Sequence, residues 1–132
     1  MSLGTVLAVS KSSFTSSTGN RNLKVAVPIR ELEVKLQTIL RGQGHNEEAT
    51  KVIVDTLMFA ELRNNNQGIV KLLAGALYPN PTATDIKIEM DSPVSCKLNG
   101  GQQIGMVVVK RSMDIAIAKA KQSGLCVVGC NN

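Results

Sequence analysis

The spacing of aliphatic residues between Pro28 and Gly124 constrains this chain more than any other feature. In "VPIRELEVKLQTILRGQG", Val27 to Gly44, the residues Ile29, Leu32, Leu36, Ile39 and Leu40 fall on one face of a helix. Pro28 suits its first turn, and Gly42 and Gly44 stop it. "HNEEATKVIVDTLMFAELR", His45 to Arg63, predicts a second helix with Ala49, Val52, Ile53, Leu57 and Ala60 as its apolar stripe. Asn46 is placed to cap that helix, and Glu47 and Glu48 oppose the positive end of its dipole. His45 then falls in the preceding turn, where a solvated loop histidine is expected. A short third helix is predicted within "GIVKLLAGALYPNP", Gly68 to Pro81, ended by Pro79 and Pro81.

Further along, the pattern changes to strands and one long helix. "DIKIEM" (Asp85 to Met90) and "VSCKLN" (Val94 to Asn99) read as short strands broken at Asp91-Ser92-Pro93. "GGQQIGMVVVKRSMDIAIAKAKQSG", Gly100 to Gly124, holds a long helix. Its inward residues are expected to be Met106, Val109, Met113, Ala116, Ile117 and Ala120, with Lys110, Arg111, Lys119 and Lys121 outward and Gly124 as the cap. "LCVVGCNN", Leu125 to Asn132, is a continuous apolar strand of the kind found in sheet interiors. The expected class is α/β: an N-terminal helical segment followed by strand–helix–strand.

The 132 residues suffice for one modest domain. With no Trp, one Tyr and two Phe, the core must be aliphatic. The net charge of +5 is unevenly placed. Lys11, Arg21, Lys24 and Arg30 precede the first acidic residue, Glu31, and the remainder is close to neutral. A nucleic-acid binder would carry its basic patch, with stacking aromatics, on the folded part, so nucleic acid is not an expected partner. Residues 1–24 form a leader rich in Ser and Thr, free of acids and mildly basic, which is the composition of an organellar transit peptide or of a disordered tail. The first alternative implies a plastid or mitochondrion, the second the cytoplasm. Residues 25–132 form the domain. No stretch reaches the ~20 apolar residues a membrane-spanning helix needs.

Cys96, Cys126 and Cys130 are an odd set without a secretory signal, so free thiols are expected. Cys126 and Cys130 lie on the predicted last strand, where four residues span roughly 13 Å, too far for one metal. No metal site is expected. "NGGQQIG", Asn99 to Gly105, puts glycines before a helix, but it lacks the Gly-Lys-Ser/Thr of a phosphate loop and the spacing of a dinucleotide loop, and so reads as a strand-to-helix turn. One histidine cannot establish a Ser/His/Asp triad. The carboxylates are spread along helix surfaces as solvated charges. That leaves "FAELRNNNQGIVKLL", Phe59 to Leu73, where a run of amides interrupts two apolar segments. Amide side chains compete for nearby backbone groups, so the run is a natural turn and also a natural place to contact a polar substrate.

"AELRNNNQGIVKLL" resembles a motif of the type 2 malate/L-lactate dehydrogenases, A-D-x-R-G-x-x-S-H-G-[IV]-x-R-[LF]. "EEATKVIVDTLMFAELR" resembles the helix before that motif. "KLNGGQQIGMVVVKRSMDIAIAKAKQSGLCVVGCNN" resembles the family's D-G-x-x-x-x-G strand–helix–strand passage. The resemblance runs in order from about Val25 to Asn132. It implies a non-Rossmann α/β fold, of which this chain is an incomplete portion, and an oxidoreductase using NAD or NADP on a small 2-hydroxy acid such as malate or lactate (or its 2-oxo form). It also implies a homodimer. Arg63 matches the motif arginine, Gly68 the glycine, and Lys71 stands where the family has arginine; Arg63 and Lys71 are therefore the expected substrate-binding cations. Asn66 and Gln67 replace Ser-His as the expected catalytic positions, and Asn64 replaces a glycine. Gln67 can donate and accept hydrogen bonds but cannot take up a proton near neutral pH. Only the first third of the family pattern is present, so the chain is expected to be truncated, lacking the later catalytic and cofactor segments, and inactive alone. The alternative expectation is a non-catalytic interaction protein that pairs with a full-length homologue through an open strand edge at Leu125 to Cys130.

Overall fold

A computed structural model describes residues 6–10 and 24–131 of the chain. Two short strands, β1 (Val6–Ser10) and β2 (Lys24–Pro28), pair antiparallel, with Ala8 opposite Ala26. The rest of the Ser/Thr-rich leader lies outside the described residues. Three helices follow: α1 (Ile29–Gly42), α2 (Glu47–Glu61) and α3 (Gln67–Leu73). They close on an aliphatic core of Leu32, Leu36 and Leu40 from α1, Ile53, Val54, Leu57 and Met58 from α2, and Ile69 and Leu72 from α3, with Leu77 beside them. The 3.6-residue period put Leu32, Leu36 and Leu40 on one face, as expected, but Ile39 sits at the solvent margin. On α2 the inward stripe is rotated toward Val54, Met58 and Glu61 and away from Val52 and Ala60, which are only half-buried.

Asn46 caps α2 as predicted, its Oδ1 accepting the Ala49 N–H at 2.8 Å. His45 corrects the expectation of a solvated loop histidine. It is only 8% exposed, and its Nε2 donates to the Leu77 carbonyl at 2.7 Å. A carbonyl can only accept, so this bond fixes the proton on Nε2. It pins the turn after α3 to the start of α2. The third helix is shorter than expected. It ends at Leu73, and Gly75, at φ +77, turns the chain several residues before Pro79.

A second layer holds β3 (Lys87–Asp91), β4 (Ser95–Asn99), α4 (Gly105–Ser123) and β5 (Val127–Asn131), with sheet order β3-β4-β5. β3 and β4 are antiparallel with a register shift between Ile88 and Met90, while β4 and β5 are parallel, with Cys96 opposite Val128. A parallel pair needs a crossover, and α4 is that crossover. Gly124 ends it at φ +79, the left-handed cap expected of a glycine. α4 packs on β5 and β4 and also touches α2.

The phase of α4 differs from the sequence expectation. Of the residues expected inward, Met106, Ala116 and Ala120 are half-buried, but Val109, Met113 and Ile117 are each about half exposed, and the buried residues are Val108 and Ser112. Contact with both α2 and the sheet selects a face one position, or about 100°, round the helix. Ser112 tolerates burial because its Oγ donates to the Val108 carbonyl at 2.9 Å. Lys119 is likewise not outward. Its side chain is 21% exposed, and its Nζ lies 2.7 Å from Asp91 Oδ1 and donates to the Ser92 carbonyl at 2.6 Å, tying α4 to the β3–β4 hairpin. The apolar strand β5 is not buried either. Among the described residues it pairs only with β4 and stands at the sheet edge, with Val127 and Cys130 exposed and Cys126 half-buried. Cys96, on the central strand, is the buried cysteine. Among the described residues no helix is long and apolar enough to cross a membrane.

Candidate functional site

The amide run is the turn between α2 and α3. The N–H groups of Arg63 and Asn65 both donate to the Ala60 carbonyl at 3.0 Å, and that of Asn64 donates to the Glu61 carbonyl at 2.9 Å. Asn64 takes φ +61, a left-handed conformation that asparagine adopts more readily than most residues. Asn65 Oδ1 accepts the Gln67 N–H at 3.2 Å, and the Asn66 carbonyl accepts the Val70 N–H at 3.0 Å to start α3. Gly68 then lets α3 approach α2, because a Cβ there would overlap Leu57 Cδ2. Asn64 by its dihedral angle, Asn65 by its side-chain oxygen and Gly68 by its lack of a Cβ therefore each have a structural reason to be what they are.

The four predicted site residues are near one another in the chain but are held differently. Gln67 and Lys71 are both exposed and, four residues apart on α3, share one face of that helix. Asn66 is half-buried at the head of α3 and makes no side-chain cap bond. Arg63 is drawn back along α2. Its guanidinium carbon sits 3.5 Å from the centre of the Phe59 ring, and Nη1 donates to the Phe59 carbonyl at 3.1 Å. Neither Arg63 nor Lys71 forms an ion pair with a carboxylate among the described residues; Lys71 is exposed, while Arg63 is held on Phe59. A fifth residue was missed. Glu61, expected among the solvated carboxylates, is 4% exposed, and burial pushes its carboxyl above the usual carboxylate range. The signal was present in the sequence, because residue 61 continues the 54, 57, 58 spacing of the inward stripe.

The other candidate, "NGGQQIG", is a turn in which the N–H groups of Gly100, Gly101 and Gln103 are bonded within the protein. Gly101 and Gln102 both have left-handed φ, at +61 and +62, and the Gln103 N–H donates to the Gly100 carbonyl at 3.1 Å. The Gly100 N–H goes to the Asn131 carbonyl at 2.8 Å and the Gly101 N–H to Asn99 Oδ1 at 3.0 Å. Those groups are not on offer to a phosphate. Beside this turn lie two adjoining hollows of about 260 and 200 Å³, both touching Asn46, Ala49, Gln103 and Val107. A further hollow of about 260 Å³ lies between α1 and α2. Arg63, Asn66, Gln67 and Lys71 line none of these three. Among the described residues no three metal-ligating side chains converge.

A family model described as malate/L-lactate dehydrogenase matches residues 27–132, from the end of β2 through α1 to the final strand. The chain belongs to the malate/L-lactate dehydrogenase family. The L-sulfolactate dehydrogenase of Methanocaldococcus jannaschii is 34% identical over 102 residues, covering 71% of this chain and 29% of that protein. The malate dehydrogenase of Pyrococcus abyssi is 31% identical over 116 residues, covering 82% and 31% respectively. Among solved structures, the malate dehydrogenase from Entamoeba histolytica superimposes with a TM-score of 0.70 at 28% identity, covering 80% of this chain and 31% of that one. The chain therefore spans about a third of the length of these relatives, and its α/β fold is a partial version of theirs.

Proposed function

We propose that this chain is the N-terminal portion of a dehydrogenase acting on a small 2-hydroxy acid such as malate or lactate, with NAD or NADP as the oxidant, and that the 132 residues do not turn over substrate by themselves. The observation that carries this is the family match over 27–132 together with a family loop that presents Gln67 and Lys71 on one exposed face, with Arg63 nearby. In that loop Lys71 supplies a point charge for a substrate carboxylate, without the bidentate fork of an arginine. Arg63 supplies the second cation once it leaves Phe59. Asn66 and Gln67 offer hydrogen bonds to the hydroxyl or oxo group, and neither can move a proton at neutral pH.

None of the three hollows among the described residues fits a dinucleotide. The three hollows are each below the roughly 300 Å³ at which ligand pockets begin, and none touches the loop. No hydride step is therefore assigned to them. The test has two arms. The 132-residue chain with NAD or NADP and malate, lactate or their 2-oxo acids is expected to show no turnover, and robust turnover contradicts the proposed inactivity. A full-length relative, the Pyrococcus abyssi enzyme, given this Asn-Asn-Asn-Gln-Gly-x-x-Lys loop is expected to keep substrate binding with a lowered kcat. Loss of all binding contradicts the roles of Gln67 and Lys71.

A second reading is favoured by the exposed edge of β5 and by the half-exposed Val109, Met113 and Ile117. In it the chain is a non-catalytic partner that pairs with a full-length homologue, or with itself as a homodimer. Size-exclusion chromatography of the chain alone and mixed with a homologue decides this: an unchanged monomer peak in both runs removes it. The leader's composition supports import into a plastid or mitochondrion, which a fluorescent fusion to residues 1–24 tests directly.

A further inference from the structure

Glu61 ends α2 and begins the turn that carries Arg63, Asn66 and Gln67. Its side chain is almost fully enclosed, and its Oε2 has no hydrogen-bond partner among the described residues. The inner-face residues before it on α2 are Val54, Leu57 and Met58. An unpartnered carboxylate in such a setting is costly when ionised and far less so when protonated.

The charged groups of the surrounding elements do not relieve it. α1 packs along α2, with Glu33 beside Val54 and Asp55, and carries Arg30 and Glu31 in its first turn. α3 brings Lys71, which is exposed. α4 meets α2 around Asn46 to Val52, at its other end, with Lys110, Arg111 and Asp114. Arg63 lies over Phe59. Burial alone pushes the Glu61 carboxyl up, with no contribution from any of these charges.

The turn hangs on the same two residues. Three of its N–H groups reach the Ala60 and Glu61 carbonyls, and Asn64 is held at its left-handed φ between them. A left-handed conformation is unfavourable for a non-glycine residue, so it depends on those bonds.

We propose that Glu61 is a positioning residue that makes the Arg63–Lys71 loop responsive to pH: as the neutral acid it packs beneath the turn and holds it, and on ionising it draws water to the end of α2 and frees the Ala60 and Glu61 carbonyls. This rests on the loop being the substrate contact, but its test reads backbone protection rather than activity, so the two can fail separately. A folded-state value above the unfolded one means the packed loop is fully present below the ordinary carboxylate range and is lost as pH rises through the folded value.

The experiment is amide hydrogen exchange by NMR on the 132-residue chain, from about pH 4 to about pH 9, corrected for intrinsic exchange. Protection of the Arg63, Asn64 and Asn65 amides is expected to fall by about tenfold or more along a single titration. Glu61→Gln is expected to remain protected across the range. If Glu61→Gln does not fold, the side-chain carboxyl carbon shift of Glu61 in the parent replaces it and must share its midpoint with the loop amides. Flat protection in the parent, an unchanged pH dependence in Glu61→Gln, or a carboxyl midpoint unlinked to the amides overturns the proposal. A loop that titrates as described in a chain whose relative-based chimera binds no substrate overturns the proposed function instead.

Discussion

Replacing Gly101 with alanine tests how the turn before α4 is held. Gly101 has φ +61, a conformation that costs an L-residue about 1 to 2 kcal/mol. The new Cβ would also overlap the Thr84 carbonyl oxygen, and it would lie 2.8 Å from Thr84 Oγ1 and 3.0 Å from the Asp85 carbonyl. Two of those three atoms are backbone, so no rotamer change clears them. The segment cannot easily back away, because the Thr84 N–H donates to the Gly101 carbonyl at 2.8 Å and Gln103 Nε2 donates to the Thr84 carbonyl at 2.9 Å. Losing one such bond adds about 1 kcal/mol, for a total loss of about 2 to 3 kcal/mol. Gly105→Ala is the internal control. Gly105 opens α4 with no atom within 4 Å of a new Cβ, so alanine there should be neutral or stabilise by up to about 1 kcal/mol. Urea unfolding followed by far-ultraviolet circular dichroism reads both, provided m is unchanged. A Gly101→Ala midpoint within about 0.5 kcal/mol of the parent refutes the account of the turn.

Three further outcomes follow from the same structure. His45→Ala removes the bond to the Leu77 carbonyl and leaves a gap behind a buried ring, and should cost about 2 to 4 kcal/mol in a thermal or urea melt, more than the about 0.5 to 2 kcal/mol of Asn46→Ala, which loses only a cap. The Lys119 ammonium, hydrogen-bonded to Asp91, holds that carboxyl below its usual range; its stabilisation is present above the ordinary Asp value and lost as pH falls, so Lys119→Met should flatten the acid side of the stability curve measured by urea unfolding at stepped pH. Thiol labelling followed by mass spectrometry should modify Cys130 first, Cys126 more slowly and Cys96 only on unfolding, because burial both hides the Cys96 thiol and pushes its titration up.

What was legible in the sequence was local. Asn46 caps α2 and Gly124 ends α4 because each needs only its own dihedral angles and a neighbour within four residues. The strand–helix–strand order, the aliphatic core and the amide turn were readable for the same reason. His45 was misread because its partner, Leu77, is 32 residues away and no spacing rule links them. Arg63 could be named as a cation from its place in the loop, but not that its guanidinium would lie back on Phe59, since that depends on a rotamer. Glu61 shows the opposite case. The period placed it inward, and its charge argued it outward; the tertiary packing of α1 and α3 on α2 decided for burial at the expense of a partner for Oε2.

The phase of α4 and the exposure of β5 have one physical cause. Hydrophobic periodicity records which side chains gain from leaving water, at about 25 cal/mol for each Å² covered, and says nothing about which surface covers them. Val108 and Ser112 face inward because α2 and the sheet meet α4 there, although Val109, Met113 and Ile117 have the greater apolar surface to hide. β5 likewise carries Val127 in a strand with the composition of a sheet interior, yet it has a neighbour on one side only among the described residues. Both faces therefore keep an unmet demand for cover, on the same half of the molecule, in a chain that spans about a third of the dehydrogenases it resembles. The candidate loop is different. Its Gly68, Asn64 and backbone bonds are satisfied within α2 and α3, so the display of Gln67 and Lys71 does not wait on whatever covers β5. Substitutions at Val109, Met113 or Ile117 should accordingly leave the protection of the Arg63 to Asn65 amides undisturbed, and a loop that loosens when α4 is altered would show that the two halves are coupled through α2 instead.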